Sequence, residues 1–255
     1  HRSFTLEWVS IYRFQCRRLS RFVHGRVLFA GDSAHQVSPF GARGANSGVQ
    51  DAENLAWKLA AVISGTAPRA LLDTYDLERG QAADENIANS TRSTDFIAPR
   101  SKAERHFRNA ALDLARKADF AKRFVNSGRL STPTAYATPL STPDRDTFGG
   151  VARLGAPVPD APMTDPSGAA GWLLQRLGRG FSILAFPAAG APDLPPAAHC
   201  LTVGRDILDV EGLVAERLGA RPGSMFLVRP DQHLAARART PDPAWIFQAL
   251  ARAHG

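Results

Sequence analysis

The chain has 255 residues, 44% of them hydrophobic, and a formal charge of +7 at neutral pH. That length and composition fit one large or two small globular domains and exclude a disordered tail. The 31 lysines and arginines are spread along the chain with no basic run interleaved with aromatics, which argues against nucleic acid as a partner; no apolar run approaches the length of a membrane span.

The first residue is His1 rather than methionine, and a strand pattern follows at once, so the sequence reads as a fragment or a processed product. No signal peptide is visible. Only Cys16 and Cys200 occur, without a CxxC, which fits a reducing cytoplasm and argues against a disulfide scaffold or a cysteine-built zinc site. From residue 3 to 17 the sequence alternates. Phe4, Leu6, Trp8, Tyr12, Phe14 and Cys16 share one face, with Ser10 as the exception, which predicts a long strand with an aromatic side packed on a core. Arg17, Arg18 and Arg21 read as a solvated turn before Gly25.

Residues 27–30 form an unbroken apolar run, the pattern of a strand buried on both faces of a parallel sheet. Gly31 and Asp32 end it. Ligands gather at the carboxyl ends of strands in open α/β sheets, so Asp32 is a candidate for accepting hydrogen bonds from a ligand's hydroxyls. A loop rich in small residues follows, in which Gly41 and Gly44 allow close approach of backbone to a bound group. The loop leads into a helix. Asn46 or Ser47 is the expected cap, Ser47 with Gln50 fits a capping box, and Asp51 and Glu53 are early enough to favour the dipole. Ala52, Leu55, Ala56, Leu59, Val62 and Ile63 recur at helical spacing until Gly65 and Pro68 stop the pattern. The amino end of this helix offers free N–H groups to something electron-rich.

The stretch GDSAHQVSPFGARGANSGVQDAENLAWKL resembles the second flavin-binding motif of the FAD-dependent aromatic hydroxylases, the group A flavoprotein monooxygenases related to para-hydroxybenzoate and phenol hydroxylase. The resemblance implies FAD as cofactor, NAD(P)H as co-substrate and hydroxylation of a phenolic ring with O2. It implies Asp32 for the ribityl hydroxyls after Gly31, with Pro39, Gly41, Gly44, Ala45 and Asn46 around the flavin ring. Ser38, Ala42 and Arg43 depart from the family pattern of proline, glycine and glutamine. In the family, the segment before residue 17 returns from the substrate-binding sheet, so its aromatic face could line a substrate pocket.

Residues 70–97 read as a second helix, in which Tyr75, Glu78 and Arg79 match the family's YxxERxP segment and are expected to be packing residues, with Gln81 in place of proline. Asp84, Glu85 and Asn89 read as a solvated face without a metal-ligating histidine. Pro99 breaks the pattern, and a charged helix over 102–124 leads into STPTAYATPLSTPDRDTFGG, a linker by composition. Beyond residue 150, FSILAF, HCLTV and MFLVRP alternate with helices near 210–218 and 243–253, a small α/β unit. GAPVPDAPM and LVRPDQHLAAR resemble the thioredoxin-like carboxyl-terminal domain of the phenol hydroxylase branch. Without CxxC it has no dithiol to exchange, which leaves homodimer contact or bracing as its role.

The expected organisation is therefore α/β: residues 1–130 as the carboxyl-terminal part of a para-hydroxybenzoate-hydroxylase-like FAD and substrate domain, 131–150 as linker, and 151–255 as a thioredoxin-like domain. No GxGxxG follows a strand, so the pyrophosphate fingerprint would come from an amino-terminal portion of the same enzyme. Two other readings compete. GDS within FAGDSAH resembles the GDSL-type esterases, but a serine nucleophile at Ser33 needs a histidine held by an acid, and Asp231-Gln232-His233 falls one residue short of that family's DxxH. The other is a non-catalytic assembly domain.

Overall fold

The computed structural model describes residues 3–125, 132–188 and 194–255. The amino-terminal part is mainly helical. Four two-residue strands, β1 (Arg17–Arg18), β2 (Val23–His24), β3 (Val27–Leu28) and β4 (His35–Gln36), pair as two small antiparallel ladders, β1 with β4 and β2 with β3. They are followed by α1 (Arg43–Ile63), α2 (Asp73–Ile97), α3 (Lys102–Lys117) and α4 (Lys122–Val125). Gly65 adopts φ +74 directly after α1, and Ser101 with Glu104 forms a capping box at the start of α3.

The carboxyl-terminal part contains the hairpin β5 (Pro162–Thr164) and β6 (Ala170–Trp172), the short helix α5 (Leu173–Arg176), β7 (Ser182–Ala185), β8 (His199–Thr202), α6 (Leu213–Leu218), β9 (Met225–Val228), β10 (Leu234–Ala238) and α7 (Pro243–His254). Its main sheet runs β10-β9-β7-β8. β7 and β8 are parallel, while β9 lies antiparallel to both β7 and β10. That order and direction are those of a thioredoxin-like sheet. Alternation along the strands sends Leu184, Leu201, Phe226 and Val228 toward α6, where Val214 and Leu218 wait, and Ile183, Leu227, Ala236 and Ala238 toward α7 with Trp245, Ile246 and Leu250. Burying each large apolar side chain contributes about 1.5 to 3 kcal/mol, so the two-faced core holds this unit together.

Three expectations change. Residues 3–16 form no strand; Phe4 is 85% exposed, Trp8 81% and Ile11 90%, because no described strand lies beside them to complete a sheet. The run at 27–30 gives only Val27–Leu28, paired antiparallel in a hairpin, and Val27 is exposed. Helix α1 begins at Arg43, four residues before the expected capping box. Its cap is Ala42 in the left-handed region (φ 51), without a side-chain hydrogen bond, so Gly44, Ala45 and Asn46 belong to its first turn.

The stripe of α1 that is most buried is polar: Ser47, Asp51, Asn54 and Lys58, at helical spacing, are all within 2% of complete burial. Polar groups tolerate this when satisfied, and α2, the stretch from Gly31 to His35 and the carboxyl-terminal unit supply partners for all of these side-chain groups but Asn54 Oδ1. Glu78 of α2, expected as a packing residue, instead accepts from Lys58 Nζ at 2.8 Å, from Asn54 Nδ2 at 2.8 Å and from both terminal nitrogens of Arg229 at 2.7 and 2.8 Å. Arg229 also donates to Asp231, at 2.9 Å from Nε and 2.5 Å from Nη2. Two cations and two carboxylates thus form a neutral cluster that joins α1 and α2 to the turn between β9 and β10. Trp57 caps it, with the Arg229 guanidinium 5.2 Å from its ring centre and Phe181 edge-on at 5.7 Å.

Burial alone would raise the Glu78 carboxyl, but Arg229 and Lys58 outweigh it and hold it at about 2. Burial pushes Lys58 down to about 8 even beside Glu78, because Arg229 shares the same carboxylate. Asp231 is also held below the ordinary range, Arg229 and His233 overcoming its burial. A carboxyl depressed in the folded state stabilises the fold above its unfolded value, 4.5 for Glu78, and that stability is lost as pH falls toward about 2. Unfolding monitored against pH should show the loss in that window. Glu78→Gln leaves two buried cations facing one carboxylate and should cost roughly 3 to 5 kcal/mol in denaturant titrations, the scale for breaking a buried pair; a cost under about 1 kcal/mol would mean that the cluster holds nothing together.

Candidate functional site

Gly31 to Ser33 form one turn of 3-10 helix between β3 and β4, with Gly31 in the left-handed region at φ +59. The turn is fixed from below by Asp51. Its Oδ2 accepts the Gly31 N–H at 2.8 Å and the His35 Nε2–H at 2.7 Å, while its Oδ1 accepts Arg79 Nε at 2.5 Å. Burial alone would raise the Asp51 carboxyl, but His35 and Arg79 reverse that and keep it below the ordinary range. Charge-assisted bonds to a fully buried carboxylate set the position of the turn. Gly31 and Gly48 of α1 also lie close, a Cβ on Gly48 meeting the Gly31 Cα at 3.4 Å.

Asp32 follows at once. It is exposed, and its carboxylate meets no hydrogen-bond donor or cation among the described residues. The loop after it is pinned on its inner side by Ser38, which is buried and bonds Thr94 Oγ1 at 2.8 Å, while Ser90 Oγ donates to the Ser38 carbonyl at 3.1 Å. Pro39 and Gly41 are left on the surface, and the Ala42 N–H donates to the Pro39 carbonyl at 3.0 Å, which closes a turn. Gly41 adopts φ +97, a conformation open to glycine and costly for other residues.

Gly44, Ala45 and Asn46 then present the first turn of α1, whose opening N–H groups have no carbonyl four residues back. Asn46 Nδ2 donates to the Ala42 carbonyl at 2.9 Å. A cleft brings Gly41 and Asn46 together with Gln50, Asn86 and residues 132–134; Asp32 and Pro39 are not in its walls. Arg43 bonds Asn86 Oδ1, and Asn86 donates to Ser47 Oγ at 2.9 Å, so the helix start is tied to α2.

The serine-hydrolase arrangement is not formed. Ser33 Oγ donates to the Ala30 carbonyl at 2.7 Å, His35 is buried and turned to Asp51, and Asp231 and His233 belong to the ion cluster. Among the described residues, no three His, Cys, Asp or Glu side chains gather as a metal site, and no helix is long and apolar enough to cross a membrane. Sequence reasoning missed Asp51, which carries the turn. The available signal was Lys58: a lysine seven residues on, among the apolar positions of the same helix, marks a buried polar stripe.

Residues 3–90 match a family model described as an FAD binding domain. The chain is 30% identical over 275 aligned residues to 6-methylpretetramide 4-monooxygenase of Streptomyces rimosus, covering 97% of this chain and 48% of the relative. It is 34% identical over 245 residues to 4-methyl-5-nitrocatechol 5-monooxygenase of a Burkholderia species, covering 86% of this chain and 41% of that protein. Its fold is similar to a crystal structure of the flavin-dependent monooxygenase PieE in complex with FAD and substrate, with a TM-score of 0.73 and 25% identity over 92% of this chain and 48% of that one. The chain thus spans no more than about half the length of these relatives.

The backbone demand at Gly31 can be measured. An alanine there meets only the Gly48 Cα, at 3.8 Å, so space is sufficient and the left-handed conformation is the cost. Gly31→Ala should lose roughly 1 to 2 kcal/mol in a denaturant titration. No loss would mean that the turn relaxes to another shape.

Proposed function

From a chain that belongs to the FAD-dependent aromatic monooxygenases, we propose that this one supplies the ribityl- and flavin-facing part of an FAD site, in an enzyme that hydroxylates a phenolic or other aromatic substrate with NAD(P)H and O2. The observation that carries the proposal is Asp32: an exposed carboxylate with no partner among the described residues, on a turn whose Gly31 N–H is held by Asp51, itself fixed by the buried His35 and Arg79. A polyol chain supplies the hydroxyl donors that such a carboxylate accepts.

The other residues fit the same group. Gly31 sets the turn, while Pro39 and Gly41 offer surface backbone that a planar ring can approach closely. Gly44, Ala45 and Asn46 form the first turn of α1 and would hold the flavin ring by its N1/C2=O edge. A helix amino end would favour the negative charge of the reduced ring there by about 0.3 to 1 kcal/mol when exposed and up to about 2 when partly buried. The chemistry FAD would supply, when bound, is passage of two electrons from NAD(P)H to O2, with one oxygen atom entering the aromatic ring and the other leaving as water. The chain's own part is to bind and orient: Asp32 by its carboxylate, α1 by its dipole, and Asp51 by holding both Gly31 and Arg79.

The Burkholderia relative acts, by its name, on a nitrocatechol, an aromatic compound, which supports the substrate class. Division into the carboxyl-terminal part of an FAD and substrate domain to residue 130, a linker, or strap, over 131–150 and the thioredoxin-like unit over 151–255 belongs to this reading. So does an amino-terminal portion of the same enzyme, supported by the exposed row from Phe4 to Phe14, which has the alternation of a strand awaiting neighbours. Bracing is the role we assign to the thioredoxin-like unit, in keeping with its buried cluster against Glu78, and the cytoplasm is the compartment we assign, in keeping with the free Cys16 and Cys200.

In the complete enzyme, Asp32→Ala should weaken FAD binding by about 1.5 to 3 kcal/mol, the range for a lost charged hydrogen-bond acceptor. Titration of the apoprotein with FAD reads it directly. An unchanged affinity would remove Asp32 from the site.

A further inference from the structure

We propose that the strap and the thioredoxin-like unit position the flavin-side turn, and that Tyr136 is the positioning residue through which they act. The inference rests on the reading of the Gly31–Asp32 turn as the ribityl site. Arg79 is its centre. The Nε of this guanidinium donates to Asp51 Oδ1 at 2.5 Å, Nη2 to the Ser47 carbonyl at 3.1 Å, and Nη1 to the Tyr136 hydroxyl at 2.7 Å. One planar group therefore links the acid that holds Gly31 to a residue outside the helical part. Arg79, Asp51 and Tyr136 are each at least 95% buried, so water cannot replace a lost partner.

Tyr136 is in turn set by the carboxyl-terminal side. Its ring stacks on His233 at 4.5 Å with the planes 16° apart, and the Arg229 guanidinium lies 5.8 Å from its centre. Its N–H donates to the Gly155 carbonyl at 2.9 Å. Gly155, at φ +76, passes so close that a Cβ there would lie 2.3 Å from the Tyr136 carbonyl oxygen. His233 is fixed by a contact of its Nδ1 with the Asp231 carbonyl at 2.8 Å. Position therefore passes from the turn between β9 and β10 through the Tyr136 ring and hydroxyl to Arg79, then to Asp51 and the Gly31 N–H, one residue from Asp32.

The chain has two ends that can be read separately. Tyr136→Phe keeps the ring on His233 and removes only the hydroxyl, leaving Arg79 Nη1 buried without its acceptor. Arg79→Lys keeps a cation near Asp51 but cannot span to Tyr136, and it serves if Tyr136→Phe does not fold. In the FAD-loaded holoenzyme either variant should release FAD roughly two- to tenfold faster, the range for residues that couple sites without touching the ligand. Hydrogen–deuterium exchange of the peptide over residues 29–34 should quicken, while that of the β9 peptide over 225–228 stays unchanged. A merely structural role would quicken both peptides or neither. Asp32→Ala, measured beside them, separates the two levels. If it loosens FAD while both Tyr136→Phe and Arg79→Lys leave FAD release and the 29–34 peptide unchanged, the positioning inference is overturned alone. If Asp32→Ala leaves FAD retention unchanged, the ribityl reading fails and the inference falls with it.

Discussion

Two adjacent residues of α2, Glu78 and Arg79, bear the polar interior of the protein. Glu78 bonds both Lys58 and Arg229 and so fastens α1 and α2 to the thioredoxin-like unit; Arg79 pairs with Asp51, the α1 residue that holds the Gly31 N–H in the turn before Asp32. Buried charges are costly unless each is paired, so neither residue can move without stranding a partner. The energetic consequence is specificity of position more than net stability. A well-packed apolar substitute would hold the elements together as firmly, but it would not dictate which atom faces the Gly31 N–H.

The thioredoxin-like unit has no CxxC, and what ties it to the rest of the protein is this ion cluster. Its sheet is buried on both faces, and its β9–β10 turn carries Arg229, Asp231 and His233 to α1 and α2. Residues 132–150 are more than a tether. Tyr136 and Leu140 are buried, and the Thr142 N–H donates to the Ala235 carbonyl at 2.8 Å, so this proline-rich stretch lies down along β10.

Much of this was legible in the sequence, for reasons tied to particular residues. The stop of α1 followed from Gly65 and Pro68, and the strands at FSILAF, HCLTV and MFLVRP from apolar runs between turn residues. Glycines at 31, 41 and 44 and the acid at 32 are the residue types from which, with the resemblance, the candidate site is read. Periodicity misled where its premise failed. The row from Phe4 to Phe14 has the alternation of a strand, but a strand needs a neighbour for its backbone bonds, and pattern carries no information about neighbours. Asp51 read as an acid suited to a helix dipole because nothing local reveals that His35, Arg79 and Gly31 converge on it from 16, 28 and 20 residues away. Long-range ion pairing was the hidden quantity, and it governs the site.

The most direct measurement is a crystal structure of the complete enzyme with FAD bound, inspected at the turn after β3. The expected result is a ribityl hydroxyl within hydrogen-bond distance of the Asp32 carboxylate, the first turn of α1 facing the pyrimidine edge of the ring, and Asp51 still accepting the Gly31 N–H. FAD bound with its ribityl chain away from Asp32, or a turn in which Asp51 has released Gly31, would contradict the account.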